Sequence, residues 1–195
     1  MPEETEINLD ELLSQLYSSE AAINVASRLV ERADAPKEIV DRAKDYVNKA
    51  IEDAEKEGKL VTAGHIAQIS GMTERAKDFY RRQIESGEKA GRNVYIVGTI
   101  PSELSTTEKI ERVYENMSDV IESRRKKSRK IAYESERAAE NPLAVQFNRR
   151  DTFERMALEE NEKALSFYGA AHFAKKTGMS RERVRLYETL NELLK

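Results

Sequence analysis

The two histidines of this 195-residue chain, His65 and His172, hold matching places in two similar stretches. Histidine is the side chain best suited to metal ligation or proton transfer near neutral pH. The first stretch is Ala63-Gly-His-Ile-Ala-Gln-Ile-Ser-Gly-Met-Thr-Glu-Arg-Ala-Lys-Asp-Phe-Tyr80, and the second is Ala170-Ala-His-Phe-Ala-Lys-Lys-Thr-Gly-Met-Ser-Arg-Glu-Arg-Val-Arg-Leu-Tyr187. One histidine per stretch supplies too few ligands for a metal unless carboxylates join it. Glu159 and Glu160 precede His172 on what reads as one helix, too far along it to chelate together, and no Glu-x-x-His pair of the di-iron kind is present. Both histidines therefore read as packing or surface residues. Covalent chemistry has no better footing, because the chain holds no Cys, no phosphate-cradling glycine loop and no Gly-x-Ser-x-Gly elbow. The expectation is no catalysis, no cofactor and no metal.

Binding chemistry is what remains. The densest charge lies in Arg124, Arg125, Lys126, Lys127, Arg129 and Lys130. Such a run is either a solvated stretch where a helix leaves the core or a contact for an anion. No aromatic is interleaved with it, so base stacking is unsupported. The formal net charge of −3 hides an asymmetry. Residues 1–120 carry 16 basic and 24 acidic groups, a balance of −8, while residues 121–195 carry 17 and 12, a balance of +5. Either the halves attract each other, the plainer alternative, or the second half meets an anionic partner.

Composition bounds the scaffold. Charged residues make up 35% and aromatics 7%, with eight Gly, four Pro and no Trp, a balance that favours helix by propensity. No apolar run approaches the roughly 20 residues of a spanning helix, so no membrane role is expected. The opening Met1-Pro-Glu-Glu-Thr-Glu is acidic, unlike the basic start of a signal peptide. Together with the lack of Cys this predicts a cytoplasmic protein.

Helical spacing organises most of the chain. Asn8-Leu-Asp-Glu11 has capping-box spacing, and Ser18-Ser19 is placed to break the apolar pattern that follows into two helices. Asp34-Ala-Pro36 starts another helix, which runs up to Gly58, with Pro in its first turn. A hairpin is predicted over about 59–70 and 73–90, with Gly71 in the turn and Thr73 suited to cap the second helix. Asn93 to Pro101 carries strand-type residues with no partner strand, and reads better as an extended apolar connector over 92–104. Ser105-Thr-Thr-Glu108 caps a long central helix over 105–140, which Asn141-Pro142 stops. A short link from Leu143 to Arg150 leads to a cap at Asp151 and a helix running unbroken to Gly178. Ser180 opens the last helix, to Leu194. The expected organisation is an N-terminal block of hairpins over 1–91, the connector, and a block over 105–195, the two blocks being separate or one continuous domain.

Two windows resemble tetratricopeptide-type repeats. Over 59–90, Gly64 and Ala76 stand where that motif places small helix-contact residues, Gly71 takes the turn and Tyr80 the large residue of the second helix. Glu162 to Gly178 is similar to another second helix, Ser180 to Leu194 to a first helix, and 36–58 to a further second-type helix. The resemblance spans 36–90 and 156–194, about half the chain. It departs from the pattern at Ala67, where a large residue is usual, in lacking a closing Pro, and throughout 93–155. Tandem arrays bury a continuous core by stacking successive units, which this chain interrupts. The resemblance implies an all-α fold of antiparallel hairpins that binds a protein or peptide in a helix-lined groove, with Thr62, His65, Gln68 and Ile69 presented to it.

Residues 171–188 also resemble a helix-turn-helix of the sigma-factor kind, through Ala174, Gly178 and Val184. That likeness implies Arg181, Arg183 and Arg185 at phosphates or guanine edges. The long unbroken helix before Gly178, the acidic N-terminal half and Lys77 at the place matching Val184 argue against it. The expectation is therefore a non-enzymatic interaction module or scaffold with a protein or peptide partner. The alternative is a nucleic-acid-binding regulator; self-association stays open.

Overall fold

Side-chain caps set where several helices begin, and glycines in the left-handed region, Gly58, Gly71 and Gly178, set three of the turns. The computed structural model describes residues 7–32, 34–90 and 104–195. The Asn8 side chain accepts from the Glu11 N–H to start α1 (Leu9–Ser14), and Ser18 accepts from the Ala21 N–H to start α2 (Ser19–Val30). The serine pair thus divides the first apolar pattern in two. α3 (Lys37–Lys56) follows Pro36, which stands at the cap rather than inside the first turn. α4 (Leu60–Ile69) and α5 (Thr73–Lys89) meet at Gly71, whose φ is 71°. A full capping box between Ser105 and Glu108 opens α6 (Thr106–Ala139). The described residues are all-α with no strand, and the long central helix is present. The strand-like segment and its connector lie outside the described residues, apart from Leu104.

Four local expectations are corrected. Thr73 does not cap α5; Met72 holds that place without a side-chain bond, and the Thr73 hydroxyl instead meets the Tyr114 hydroxyl at 3.2 Å. The link after Asn141 contains a short helix, α7 (Pro142–Gln146), because the proline that ends α6 also suits a first helical position. Asp151 lies in the first turn of α8 (Arg150–Lys163) rather than at its cap. The helix expected to run unbroken to Gly178 is two helices, since Leu165 adopts a φ of 55° between α8 and α9 (Phe167–Thr177). Ser180 caps α10 (Arg181–Leu193) as expected, its hydroxyl accepting from the Arg183 N–H.

Packing proceeds helix by helix along the chain, α2 on α3, α3 on α4, α4 on α5, α5 on α6, then α6 on α8 and α9 on α10. α2 also contacts α4 and α8, which brings the first and second halves together. In the α4–α5 hairpin the backbone of Gly64 lies against the Tyr80 ring, so close that a Cβ would fall 2.4 Å from Tyr80 Cε1. In the α9–α10 hairpin, the fully buried Tyr187 stacks on Phe167 with centroids 6.3 Å apart. Across the two halves Glu162, fully buried, accepts from the Tyr17 and Ser18 N–H groups at 2.8 and 3.1 Å and from the Tyr187 hydroxyl at 2.7 Å. It thereby ties α8 to the start of α2 and to α10.

α6 positions the site. At 34 residues it is about 51 Å long, more than any neighbour can cover. Ile110, Val113 and Met117 bury its first half, against α5, and Ala132, Ser135 and Ala139 bury its second half, against α8. From residue 118 to 131 no α6 side chain is buried. That unburied span holds the basic run.

Candidate functional site

A cleft of about 500 Å³ opens where the apolar stripe of α6 lapses, between α2, α4 and the middle of α6. Its floor is neutral and fully bonded. Gln68 Nε2 donates to the Tyr114 carbonyl at 2.9 Å and to Ser118 Oγ at 2.8 Å, while its Oε1 accepts from the Tyr80 hydroxyl at 2.8 Å. Burial raises the Tyr80 pKa well above the ordinary phenol value, so the hydroxyl stays a donor. Ile69, Tyr114 and Ile121 supply apolar wall.

The rim is cationic. Arg28 enters from α2, and Arg125, Lys126 and Arg129 enter from α6, against the two carboxylates Glu31 and Glu122. Both carboxylates already have partners: Glu31 pairs with Arg28 at 3.4 Å and Glu122 with Lys126 at 2.8 Å. Arg125 and Arg129, one turn apart on the same face of α6, have no carboxylate within ion-pair distance among the described residues. Arg125 Nε is buried with no acceptor, the one such side-chain atom among the described residues. Burial, then the like charges of Arg28 and Arg129, hold the Arg125 pKa below the ordinary guanidinium value. Asn24 of α2, more than nine-tenths buried, lines the cleft and makes no side-chain hydrogen bond among the described residues.

A small cavity of about 20 Å³ adjoins the cleft through Asn24, Ile121 and Arg125, and His65 lines it with Arg124. Burial, then Arg124 and Arg125, lower the His65 pKa to about 4. The ring is neutral at physiological pH, and its charged neighbours Arg124 and Arg125 are not metal ligands. Among the described residues no cluster of three or more His, Asp or Glu side chains is placed to hold a metal ion.

The residues expected at a groove are distributed unevenly. Ile69 lines the cleft and His65 sits beside it, but Thr62 is exposed away from its lining. Gln68 is buried and every polar atom of its amide is engaged, so it supports the cleft rather than facing a partner; α6 covers it. The basic run divides in the same way. Arg125, Lys126 and Arg129 face the cleft and Arg124 the small cavity, whereas Lys127 and Lys130 are exposed outside it, Lys130 near Glu134 at 3.8 Å. Of the C-terminal arginines, Arg181 and Arg185 are exposed. Arg183 is committed within the fold: its guanidinium lies 4.2 Å from the Tyr17 ring centroid and donates to the Gln15 carbonyl at 2.6 Å. The break before α9 does give this hairpin the short first helix that a helix-turn-helix uses.

Asn24 and Arg28 are the site residues that sequence reasoning passes over. A signal was available, since Asn24 interrupts the apolar run Ala21-Ala-Ile-Asn-Val-Ala26 on the face that α2 buries. No ion pair among the described residues joins residues 1–120 to residues 121–195, so the opposite charges of the two halves are not neutralised by direct pairing. No helix among the described residues is long and apolar enough to cross a membrane. Comparison with protein-family models, curated proteins and solved structures finds no match.

Proposed function

We propose that this chain is a non-enzymatic interaction module that receives an anionic segment of a protein partner in the cleft between α2, α4 and α6. The observation carrying this reading is the pair Arg125 and Arg129, left without carboxylates in a chain that has more acidic than basic residues. Guanidinium groups are spread over such a surface to find acceptors; where two stand unpaired in a concavity, an acceptor from another molecule fits them. The tetratricopeptide-like hairpins favour the same class of function. So does the exposed apolar row Leu143, Val145 and Phe147 at and after α7, since clustered exposed hydrophobics suit protein contact.

Affinity capture with the wild-type chain and with Arg125→Glu/Arg129→Glu, each with and without nuclease, tests this. A discrete protein recovered after nuclease by wild type and lost by the double variant, with helicity unchanged by circular dichroism, is the expected result. Recovery that depends on nucleic acid overturns it and moves the function to Arg181, Arg185 and the outer lysines of α6. Recovery unaffected by the double variant removes the cleft from the reading.

A further inference from the structure

The cleft's charge count points to a more specific ligand than any acidic segment. We propose that Arg125 and Arg129, with the Asn24 amide facing them, form a seat for a doubly charged oxyanion, a phosphoryl group. This rests on the reading of the cleft as the binding site, and the two fail separately.

Four cations and two carboxylates line the cleft, and the carboxylates are taken up by Arg28 and Lys126. What is left over is two positive charges, on adjacent turns of one helix face. A single carboxylate neutralises half of that; a phosphate monoester, at about −1.5 to −2 near neutral pH, matches it and offers three acceptor oxygens to guanidinium forks. Asn24 adds a neutral donor. The residue is largely buried on the wall opposite α6, and its amide is bonded to nothing in the described protein and keeps a little contact with solvent. The Arg125 Nε–H goes further: it is buried without an acceptor, the one such side-chain atom among the described residues. A buried donor left unpaired beside a cationic concavity gains most from an acceptor-only group. The floor does not compete for it, because Gln68 and Ser118 are bonded to each other and to the Tyr114 carbonyl. Burial first, and then the like charges of Arg28 and Arg129, hold the Arg125 pKa down, and an opposite charge in the cleft offsets that cost.

His65 provides a reporter, since it shares the adjoining cavity with Asn24 and Arg125 while His172, the chain's other histidine, lies exposed on α9. The full chain at pH 7 is titrated with inorganic phosphate, with a short phosphoserine peptide and with the glutamate counterpart of that peptide. Imidazole resonances are followed by NMR. The expected result is a saturable shift of His65 with His172 unmoved, and affinity for the glutamate peptide weaker by about tenfold than for the phosphoserine peptide. Arg125→Gln and Arg129→Gln each weaken phosphoryl binding by about tenfold, and Lys127→Gln, outside the cleft, changes it less than about twofold. Thermal melts confirm that the variants fold.

A shift that does not saturate, or that moves both histidines together, means an adventitious ion only and overturns the seat. Equal affinity for the glutamate peptide, or binding that survives Arg125→Gln in a folded protein, overturns it as well. Inorganic phosphate bound as tightly as the peptide assigns the phosphoryl group to a small ligand and keeps the seat. If phosphate binds but no protein is captured, the partner reading falls and the seat stands. A captured partner that needs Arg125 and ignores phosphoserine does the reverse.

Discussion

The α4–α5 and α9–α10 hairpins share His-x-Ala-x-x-x-Gly-Met, a left-handed glycine and a fully buried tyrosine, yet their surroundings differ, and three of the aligned differences show how. Where the first has Gly64, Gln68 and Ala76, the second has Ala171, Lys175 and Arg183. The first hairpin turns inward. Gln68 carries the Tyr80 hydroxyl and the α6 backbone, and His65 is half-buried below Arg124 and Arg125. The second turns outward. Lys175 pairs with Glu188 at the surface, His172 is exposed, and the Tyr187 hydroxyl reaches a carboxylate on another helix, Glu162. Hairpin formation is thus local, written in the glycine turn and the tyrosine. What each hairpin is used for is set by the element laid across it: α6 makes a cleft over the first, while α1 and α8 anchor the second into the fold.

The largest break in this comparison is at Glu162. Replacing it with Ala leaves two N–H groups and the Tyr187 hydroxyl without an acceptor in a fully buried place, and opens a cavity. The expected loss is about 4 kcal/mol by denaturant unfolding. Glu162→Gln keeps an acceptor for the N–H groups and offers a donor to Tyr187, so it costs less than about 1 kcal/mol near neutral pH. Burial raises the Glu162 pKa above the ordinary carboxyl value. Its contribution is therefore fully present below that ordinary value and is lost as pH rises through the raised one. Stability of Glu162→Gln measured against wild type improves in relative terms across that rise.

His65 gives the opposite sign in the first hairpin. Its folded pKa of about 4 lies below the unfolded value of about 6.5. Its contribution is present above the unfolded value and is lost as pH falls toward the folded one. Between pH 7 and pH 4 wild type should lose about 3 kcal/mol more than His65→Gln, read from urea midpoints. Equal losses in the two proteins would remove the buried, cation-flanked setting from His65.

Where the sequence was legible, a side chain did the work locally. Asn8, Ser18, Ser105 and Ser180 each cap the helix expected of them, and Asn141-Pro142 ends α6. The break between α8 and α9 was hidden because Leu165, not glycine or asparagine, takes the left-handed conformation. A local capping bond and burial hold it there: Ser166 N–H donates to the Asn161 carbonyl at the end of α8, and Phe167 and Leu158 are buried on either side. The cleft was half legible. Charge density marked Arg125 and Arg129, but Asn24 and Arg28 lie about a hundred residues away in an ordinary amphipathic helix, and the packing of α2 on α4 and α8 brings them near.

The smallest expected effect isolates the one position where the first hairpin tolerates no side chain. A Cβ at Gly64 would lie 2.4 and 2.9 Å from two Tyr80 ring carbons, whereas the aligned Ala171 carries its Cβ at a buried position of α9. Gly64→Ala gains helix propensity but forces the Tyr80 ring away from Gln68, for a net loss of about 2 kcal/mol. Ala171→Gly has no such ring to relieve and loses about 1 kcal/mol through backbone freedom, with the lost burial of its methyl adding to it. Chemical denaturation distinguishes the two causes on a Tyr80→Leu background. If the ring is what excludes a side chain, Gly64→Ala becomes neutral or stabilising there, and the coupling appears as non-additivity in the double-mutant cycle. If the penalty persists without the ring, α4 and α5 are held apart by their backbones, and Gly64 sets the hairpin's spacing rather than the seat of Tyr80 beneath the cleft.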